Sequence, residues 1–341
     1  MYDPIGRKTF QCEPDNASSN PAICSPNNDY EAWSYSGNNT TYSDETRRQW
    51  IRATDAHNRL VQVTEPGGLN TSYTYDALDN LSTVSQLGTS SETPRNRGFV
   101  YDSLSRLISA TNPESGTVGY AYILNGGGLC AGDVSLPCSK TDARGVTTNY
   151  TYEPLNRLVS RTYSGQGTAS AIATITPSSC YQYDTGPSGA TGGNFVGRLT
   201  FEWTQFGSCP STIPATGYKT MRSFLAYDQM GRVKVEQQCN LGSCTTGQPY
   251  TVSPSYDLAG NLTAYDNGLG TLTVNNSYDL AGRLYQVGSN INDATHPQSL
   301  YSVSGFTPFG TPLNSGLGAN ISIIQTYDLR LRPTGLAAVK Q

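Results

Sequence analysis

The sequence predicts an all-β protein built from tandem antiparallel β-hairpins. A Tyr-Asp dipeptide recurs along the 341-residue chain, and most copies open a heptad close to Tyr-Asp-x-x-Gly-Arg-Leu. The segments between heptads alternate polar and aromatic residues with a period of two, which is typical of half-buried strands. A second class of turn signal divides those segments. Each repeat is therefore expected to hold two strands and two turns.

The heptad is clearest at residues 227–233, 256–262 and 278–284. Recurrence of this kind indicates a repeat array and not a single enzyme core. We assign these residues to structural repeat turns: Tyr2, Asp3, Gly6, Arg7, Tyr75, Asp76, Tyr101, Asp102, Tyr227, Asp228, Gly231, Arg232, Tyr256, Asp257, Gly260, Tyr278, Asp279, Gly282, Arg283, Tyr327 and Asp328.

Local chemistry predicts the conformation of the turns. A type I turn favours Asp at its first position, Pro at its second and Gly at its fourth, and Asp3, Pro4 and Gly6 occupy those positions. Degenerate copies replace the glycine, mostly with residues that tolerate the left-handed backbone region: Asn58, Asp79, Ser105 and Asn156.

The glycine position fits the bulge of a three-residue hairpin loop. In such a loop Asp279 lies opposite Arg283 on one face of the hairpin, and Tyr278 lies opposite Leu284 on the other. We therefore expect one face to carry charge and the other to carry an aromatic-aliphatic pair.

A different turn signal, rich in Pro, Gly, Asn and Asp, lies between the heptads at residues 64–68, 111–116 and 141–145. The strands that follow, such as 71–75 and 148–152, place tyrosines at alternate positions. These strands are expected to be half-buried and antiparallel.

Residues 278–284 and 140–152 resemble the YD repeats of bacterial RHS proteins, because both halves of the repeat recur in order. The resemblance covers about residues 54–284, with outlying copies at 2–7 and 327–332. It implies a continuous sheet that spirals into a ribbon or a shell segment.

The resemblance also implies a function. In RHS proteins and insecticidal toxin complexes such a shell encloses a C-terminal toxic polypeptide, and in teneurins it supports adhesion. The implied partners are adjacent repeats or copies of the chain itself, an enclosed toxin polypeptide, or surface glycans. No cargo segment or self-cleavage site of the family can be matched in this chain, which reads as an excerpt of a longer, truncated array.

The chain divides into four predicted regions. Residues 1–53 form a degenerate repeat with a cysteine-containing insertion, and 54–163 hold YD repeats. Residues 164–226 are rich in insertions, and 227–341 hold further YD repeats with a C-terminal insertion.

Composition supports this class and excludes others. The 23 tyrosines stand in for an aliphatic core, and 35 glycines with 19 prolines suit a chain full of turns. We expect β structure throughout. A net charge of −4 without a basic block predicts neither nucleic-acid binding nor membrane insertion.

Eight cysteines fall into four couples of sequence neighbours, which favours disulfides and an extracellular or cell-surface location. No charged, apolar leader opens the chain. Free thiols in variable loops are the alternative, and zinc is weakly indicated because no Cys-x-x-Cys spacing occurs. The candidate pairs are Cys12 with Cys24, Cys130 with Cys138, Cys180 with Cys209, and Cys239 with Cys244.

Catalysis, a cofactor and a metal are not predicted. The carboxylates Asp142, Glu153, Asp184 and Asp228 are candidates for acid–base chemistry, but a turn-capping role repeated at every copy explains the recurrent aspartates better. No nucleophile elbow, phosphate loop or zinc-protease motif occurs.

Two functional hypotheses remain open. The first is a structural segment, acting as scaffold, shell or fibre subunit. The second is a module that binds carbohydrates or cell surfaces, in which Trp33 and Trp203 stack on sugar rings. Packing in the sheet is the more common fate of such aromatics.

Overall fold

The computed structural model describes residues 1–12, 30–88, 93–214, 216–293, 295–318, 320–328 and 331–340. It confirms the predicted all-β class. The predicted pair Cys12 and Cys24 includes a residue outside these ranges.

The strands of the larger, 18-stranded antiparallel sheet are short and joined mostly by tight turns. They are β1 Phe10–Cys12, β2 Tyr30–Ser36, β3 Asn39–Ser43, β4 Gln49–Thr54, β5 Leu60–Thr64, β6 Asn70–Tyr75, β7 Leu81–Gln86, β8 Arg95–Tyr101, β9 Leu107–Asn112, β10 Gly116–Ala121, β11 Ser139–Thr141, β12 Thr147–Tyr152, β13 Leu158–Ser164, β14 Ser178–Tyr183, β15 Leu199–Gln205, β16 Thr220–Tyr227, β17 Val233–Cys239 and β18 Tyr250–Val252.

A second sheet has eight strands. They are β19 Ser255–Tyr256, β20 Leu262–Asp266, β21 Thr273–Tyr278, β22 Leu284–Ser289, β23 Ser299–Phe306, β24 Pro312–Leu317, β25 Ile321–Tyr327 and β26 Pro333–Lys340.

The topology is a meander. Each strand from β1 to β11 pairs antiparallel with the next strand along the chain, and so do those from β13 to β17 and from β19 to β25. Such local connections are what a chain of tandem hairpins requires.

The chain divides into two compact units. One contains Met1–Asn149 and Ser164–Ala173, and the other contains Tyr150–Tyr163 and Thr174–Gln341.

The two faces of the sheet in the first unit differ in chemistry. One face carries hydroxyl and amide side chains that bond across strands, as in Thr74 Oγ1 with Thr83 Oγ1 at 2.6 Å. The same contacts join Thr64 with Asn70, Thr111 with Thr117, and Thr141 with Thr147. On the other face Tyr73 pairs with Val84 and Phe99 pairs with Ala110. The alternation expected of half-buried strands is therefore present.

The second unit contains a small core under a long connection. Cys180, Phe201 and Trp203 are almost fully buried, and Tyr218 and Met221 pack against them. Most other described strand residues are only half-buried.

Two short helices contradict the expectation of β structure throughout. Helix α1, Thr168–Ile175, is rich in alanine, the best helix former, and buries Ala169 and Ala173. Helix α2, Leu241–Thr246, begins at Asn240, whose side chain accepts from two backbone N–H groups, and ends at Gly247 in the left-handed region. Both helices lie in connections between strands.

Within the described ranges, no helix is long and apolar enough to cross a membrane.

Candidate functional site

The repeat turn recurs throughout the described part of the chain. Two hydrogen bonds define it: the first residue donates its N–H to the carbonyl four residues on, and the fourth residue donates to the carbonyl of the first. Among the described residues this pair occurs in fourteen turns, which begin at Asp3, Asp44, Asp55, Glu65, Asp76, Asp102, Leu124, Asp142, Glu153, Asp228, Asp257, Asp279, Thr307 and Asp328. The pattern is a type I turn followed by a bulge.

The fourth turn residue has a positive φ wherever the heptad predicts a bulge. Gly282 has φ +75° and Gly6 has φ +81°. The residues that replace glycine in degenerate copies adopt the same conformation: Asn58, Asp79, Ser105 and Asn156 have φ between 58° and 66°. The turn thus keeps its geometry without glycine, at a cost in backbone strain that is smaller for Asn and Asp.

An aspartate organises most of these turns. The Oδ1 of Asp279 accepts from the backbone N–H groups of Ala281 and Arg283 at 2.9 Å, and its Oδ2 accepts from the Arg283 Nε at 2.8 Å. These bonds, led by that from the Arg283 side chain, hold the pKa of Asp279 below its ordinary value. The pKa is lowered in the same direction at Asp3, Asp44, Asp55, Asp76, Asp102, Asp142, Asp228 and Asp257.

The arginine of a turn also contacts the following repeat. The guanidinium of Arg59 bonds Asp55 in its own turn, bonds Asp79 in the next turn at 2.5 Å, and lies 4.9 Å from the Tyr75 ring centroid. The Tyr75 hydroxyl donates to the carbonyl of Leu60, the residue after the arginine, at 2.8 Å. One arginine and one tyrosine therefore join two consecutive hairpins.

The same link recurs in the second unit. Arg157 bonds Glu153 in its own turn and Asp184 directly after β14, and these carboxylates raise its pKa, Asp184 most. Its guanidinium lies 4.4 Å from the ring centroid of Tyr183, whose hydroxyl donates to Leu158 O at 2.9 Å. Cation–π contacts of this geometry are favourable when partly shielded from water.

The tyrosine half of the link is the more general one. A repeat tyrosine donates its hydroxyl to a backbone carbonyl of the preceding hairpin at Tyr35, Tyr75, Tyr122, Tyr183, Tyr227, Tyr278 and Tyr327. Tyr35 and Tyr122 stand outside the Tyr-Asp dipeptides, so the sequence pattern did not identify them. The signal in the sequence that could have identified such a tyrosine is its spacing from a preceding arginine, as Tyr122 follows Arg106.

The remaining motif tyrosines have other contacts. Tyr2 forms an isolated bridge with Lys8, and Tyr101 pairs with Leu107 across its hairpin. Tyr256 lies under the guanidinium of Arg232 at 4.9 Å.

Burial has the strongest effect on Tyr227, which is 8% exposed. Its hydroxyl donates to Leu199 O at 2.5 Å, and burial raises the pKa of Tyr227 to about 12. The phenol is therefore held in its neutral, donating form.

A second irregularity follows the turns of the Tyr-Asp heptads, whereas the turns at Asp44, Glu65 and Asp142 are followed by regular pairing. Tyr278 pairs with Leu284, but Ser277 pairs with Gln286, so one extra residue stands in the returning strand. The same shift occurs after Tyr75 and Tyr101. Bulges increase strand twist. The heptad hairpins are therefore twisted at the same place.

Among the described residues, three cysteine pairs are disulfide-bonded: Cys130 with Cys138, Cys180 with Cys209, and Cys239 with Cys244. Each bridge has at least one cysteine in a connection between strands, and Cys180 lies within β14. The disulfide at Cys180 anchors the connection that covers the small core.

The two tryptophans considered for glycan stacking differ in burial. Trp203 is 5% exposed and lies inside the small core with Cys180 and Phe201. Trp33 is half-buried, with the Lys8 ammonium 4.0 Å from its ring centroid and the Tyr42 ring at 5.1 Å. The Trp33 ring thus belongs to a cross-strand aromatic row.

The carboxylates considered for catalysis are held by arginines. Asp142 bonds Arg144, and Asp228 bonds Arg232. Glu153 and Asp184 share Arg157. No group of three or more metal-ligating side chains occurs among the described residues.

Comparison with known proteins agrees with this architecture. Residues 55–90 match the family model of the RHS repeat. The crystal structure of TcdB2-TccC3 has a TM-score of 0.72 at 15% identity, over 99% of this chain and 16% of that chain. The Photorhabdus luminescens Tc holotoxin pore with the TccC3-D651A mutation gives 0.71 at 14% identity, with the same coverage. Among curated proteins, none matches the chain.

The fold and the turn network together define an all-β protein of tandem YD hairpins. Over residues 55–90 it carries an RHS repeat, and over nearly its whole length it has the fold of TcdB2-TccC3. The chain spans about a sixth of the length of those chains, as its 16% coverage of them shows.

Proposed function

We propose that this chain is a non-catalytic structural segment, a stretch of wall in an RHS-type scaffold or encapsulating shell. The observation that carries the proposal is the recurrent link between hairpins, in which a turn arginine such as Arg59 or a repeat tyrosine such as Tyr75 bonds the neighbouring repeat. Such links make a continuous sheet from units that are too small to be stable alone.

The arrangement of charges supports a structural role. In a catalytic site we expect a carboxylate whose surroundings are unique in the molecule. The turn aspartates instead share one set of partners. Each accepts hydrogen bonds from two backbone N–H groups and from an arginine side chain, as at Asp55, Asp102, Asp228 and Asp279.

The partners that we propose are adjacent repeats and an enclosed polypeptide. The hydroxyl face of the first unit, with Thr74, Thr83, Thr111 and Thr117, carries uncharged groups that already bond one another. A wall of this chemistry offers little specific attachment, which suits the containment of a polypeptide without selecting its sequence. The disulfides favour an extracellular or cell-surface setting.

Electron cryomicroscopy of the purified protein tests the proposal. A wall segment predicts curved, single-layer β-sheets or hollow particles. Compact particles with a second layer over the sheet, or straight filaments, would contradict it.

A further inference from the structure

The connection between β15 and β16 covers the small core as a strap, which is described at residues 206–214 and 216–219. Its backbone is barely tied to the sheet. Among these described residues, only Lys219 makes a backbone–backbone hydrogen bond, from its N–H to Thr204 O at 2.7 Å. The strap therefore lacks the ladder of backbone bonds that holds the strands together.

Three side chains of the strap, those of Cys209, Ile213 and Tyr218, pack on the core. Phe201 and Trp203 in that core are each 5% exposed. The Tyr218 ring centroid lies 5.6 Å from that of Phe201. The strap thus helps to keep two large aromatic side chains away from water.

One disulfide fastens the strap to a strand of the sheet. Cys209 belongs to the strap, whereas Cys180 is 0% exposed in β14, the strand that pairs with β15. The two cysteines are 29 positions apart in the sequence. The bridges at Cys130 and Cys239 join residues eight and five positions apart, so they tie only neighbouring stretches of chain.

A glycine in the left-handed region stands near each end of the strap. Gly207 has φ +82° and Gly217 has φ +93°, and an added Cβ at either position meets no atom within 4 Å. Between them, Pro210 and Pro214 restrict the backbone. A stiff middle section between two glycines with open space around them can move as a unit about its ends.

We propose that the disulfide between Cys180 and Cys209 is a redox latch, which holds the strap over the aromatic core when oxidised and releases it when reduced. Without the bridge, the packing of Ile213 and Tyr218 remains, and no backbone ladder of the described strap residues supports it. Opening is expected to be local, because β14, β15 and β16 pair directly with one another and do not need the strap. The inference goes beyond the wall proposal and does not rest on it.

The reductant that opens the latch is a dithiol. Its thiolate attacks Cys209 Sγ, because Cys209 is partly exposed and Cys180 is fully buried. The S–S bond breaks, Cys180 departs as a thiolate that takes up a proton, and a mixed disulfide forms at Cys209. The second thiol of the reductant attacks this mixed disulfide, closes the reductant's own disulfide and releases Cys209 as a thiol. Two electrons and two protons thereby pass to the protein, and reoxidation reverses the step.

Acrylamide quenching of Trp203 fluorescence tests the latch. Trp33→Phe with Trp50→Phe leaves Trp203 as the one tryptophan of the chain. Because local opening exposes the core, dithiothreitol should raise the quenching constant about threefold or more, with an unchanged far-ultraviolet circular dichroism spectrum. Reoxidation should restore the low constant. Adding Cys180→Ala with Cys209→Ser should give the raised constant without reductant and remove the response to dithiothreitol.

The matched control is Cys130→Ser with Cys138→Ser in the same protein with Trp203 alone. These substitutions remove a bridge of the first unit, which has no part in the strap. The quenching constant and its response to dithiothreitol should both stay as they were. A control that behaved like the Cys180 and Cys209 variant would contradict the assignment of the latch.

Three further results would overturn the inference: a quenching constant that dithiothreitol leaves unchanged, a response that persists in the Cys180 and Cys209 variant, or loss of the circular dichroism signal on reduction, which would make the bridge a staple of the whole fold. If that variant does not fold, reduction of the protein with Trp203 alone still decides, because the bridge then forms before it is broken. None of these outcomes bears on particle shape, so the wall proposal is tested separately.

Discussion

The aspartate of the repeat turn satisfies three donors with one carboxylate. Asp228 accepts from the backbone N–H groups of Met230 and Arg232 and from the Arg232 side chain. Buried or constrained backbone donors need such partners, and a carboxylate provides stronger hydrogen bonds than a neutral acceptor. The residue thus fixes the loop and orients the arginine toward the next repeat.

Gly282→Val is predicted to destabilise the protein by about 1 kcal/mol or more, measured by urea denaturation. The reason is backbone strain alone, because Gly282 has φ +75° and an added Cβ meets no atom within 4 Å. Ala281→Val, in the same turn, is the control and should have a smaller effect. Equal stability of the Gly282 variant and the wild type would contradict the turn assignment.

Tyrosine ionisation is predicted to destabilise the fold above pH 10. Because the pKa of Tyr227 is about 12 in the folded state and near 10 when unfolded, the neutral phenol contributes stability below pH 10 that is lost as pH rises toward 12. Urea denaturation between pH 9 and 12 should show this fall. Tyr227→Phe should reduce the slope of the unfolding free energy against pH. An unchanged slope would contradict the raised pKa of Tyr227.

Each hairpin combines a local turn with a link to its neighbour. Tyr183 both bonds Leu158 and lies under Arg157, so the contact crosses from one hairpin to the next. Stability along such an array depends on interfaces between repeats as well as on each repeat.

Arg157→Ala is predicted to lower the midpoint of urea denaturation more than Arg144→Ala does. Arg157 contacts two carboxylates and the Tyr183 ring, whereas the Arg144 side chain is mostly exposed beside Asp142. Exposed ion pairs contribute little. If both variants had the same midpoint, the link between hairpins would have no energetic role.

Sequence reasoning predicted the turn within each hairpin and missed the contacts that join one hairpin to the next. The hairpin turn at Asp279 follows from residues adjacent in the chain, so propensity and spacing were sufficient. The contact of Arg59 with Tyr75 depends on how two hairpins register, which the heptad does not contain. Helix α2 was missed although Asn240 and Gly247 are typical caps, because β patterning on both sides dominated the interpretation.

At the scale of the molecule, the long sheets bury only a small hydrophobic core. Besides the cluster around Cys180, most strand side chains are half-buried, and tyrosines take the place of aliphatic residues. Hydrogen bonds between strands and links between repeats therefore carry a larger share of the stability than in a globular domain. This is a suitable construction for a wall, since every section resembles the next.

Acid is predicted to weaken the whole array. The pKa values of the turn aspartates, such as Asp55, Asp102 and Asp279, lie below the ordinary 3.8 in the folded state. Their contribution to stability is present above about pH 4 and is lost as pH falls through the lowered values, because the unfolded chain then binds more protons. The midpoint of urea denaturation, measured from pH 6 to pH 2, should decrease once the pH is below about 4. Asp279→Asn should reduce that fall, and a constant midpoint would contradict the role of the carboxylates.

Native-state hydrogen exchange, followed residue by residue through β4 to β9 and β13 to β17, tests the central claim most directly. If links between hairpins hold the sheet together, strand amides of consecutive repeats should open with one shared free energy, as a cooperative unit. Hairpins that each exchange independently, with separate opening free energies, would contradict the account of a continuous, mutually linked wall.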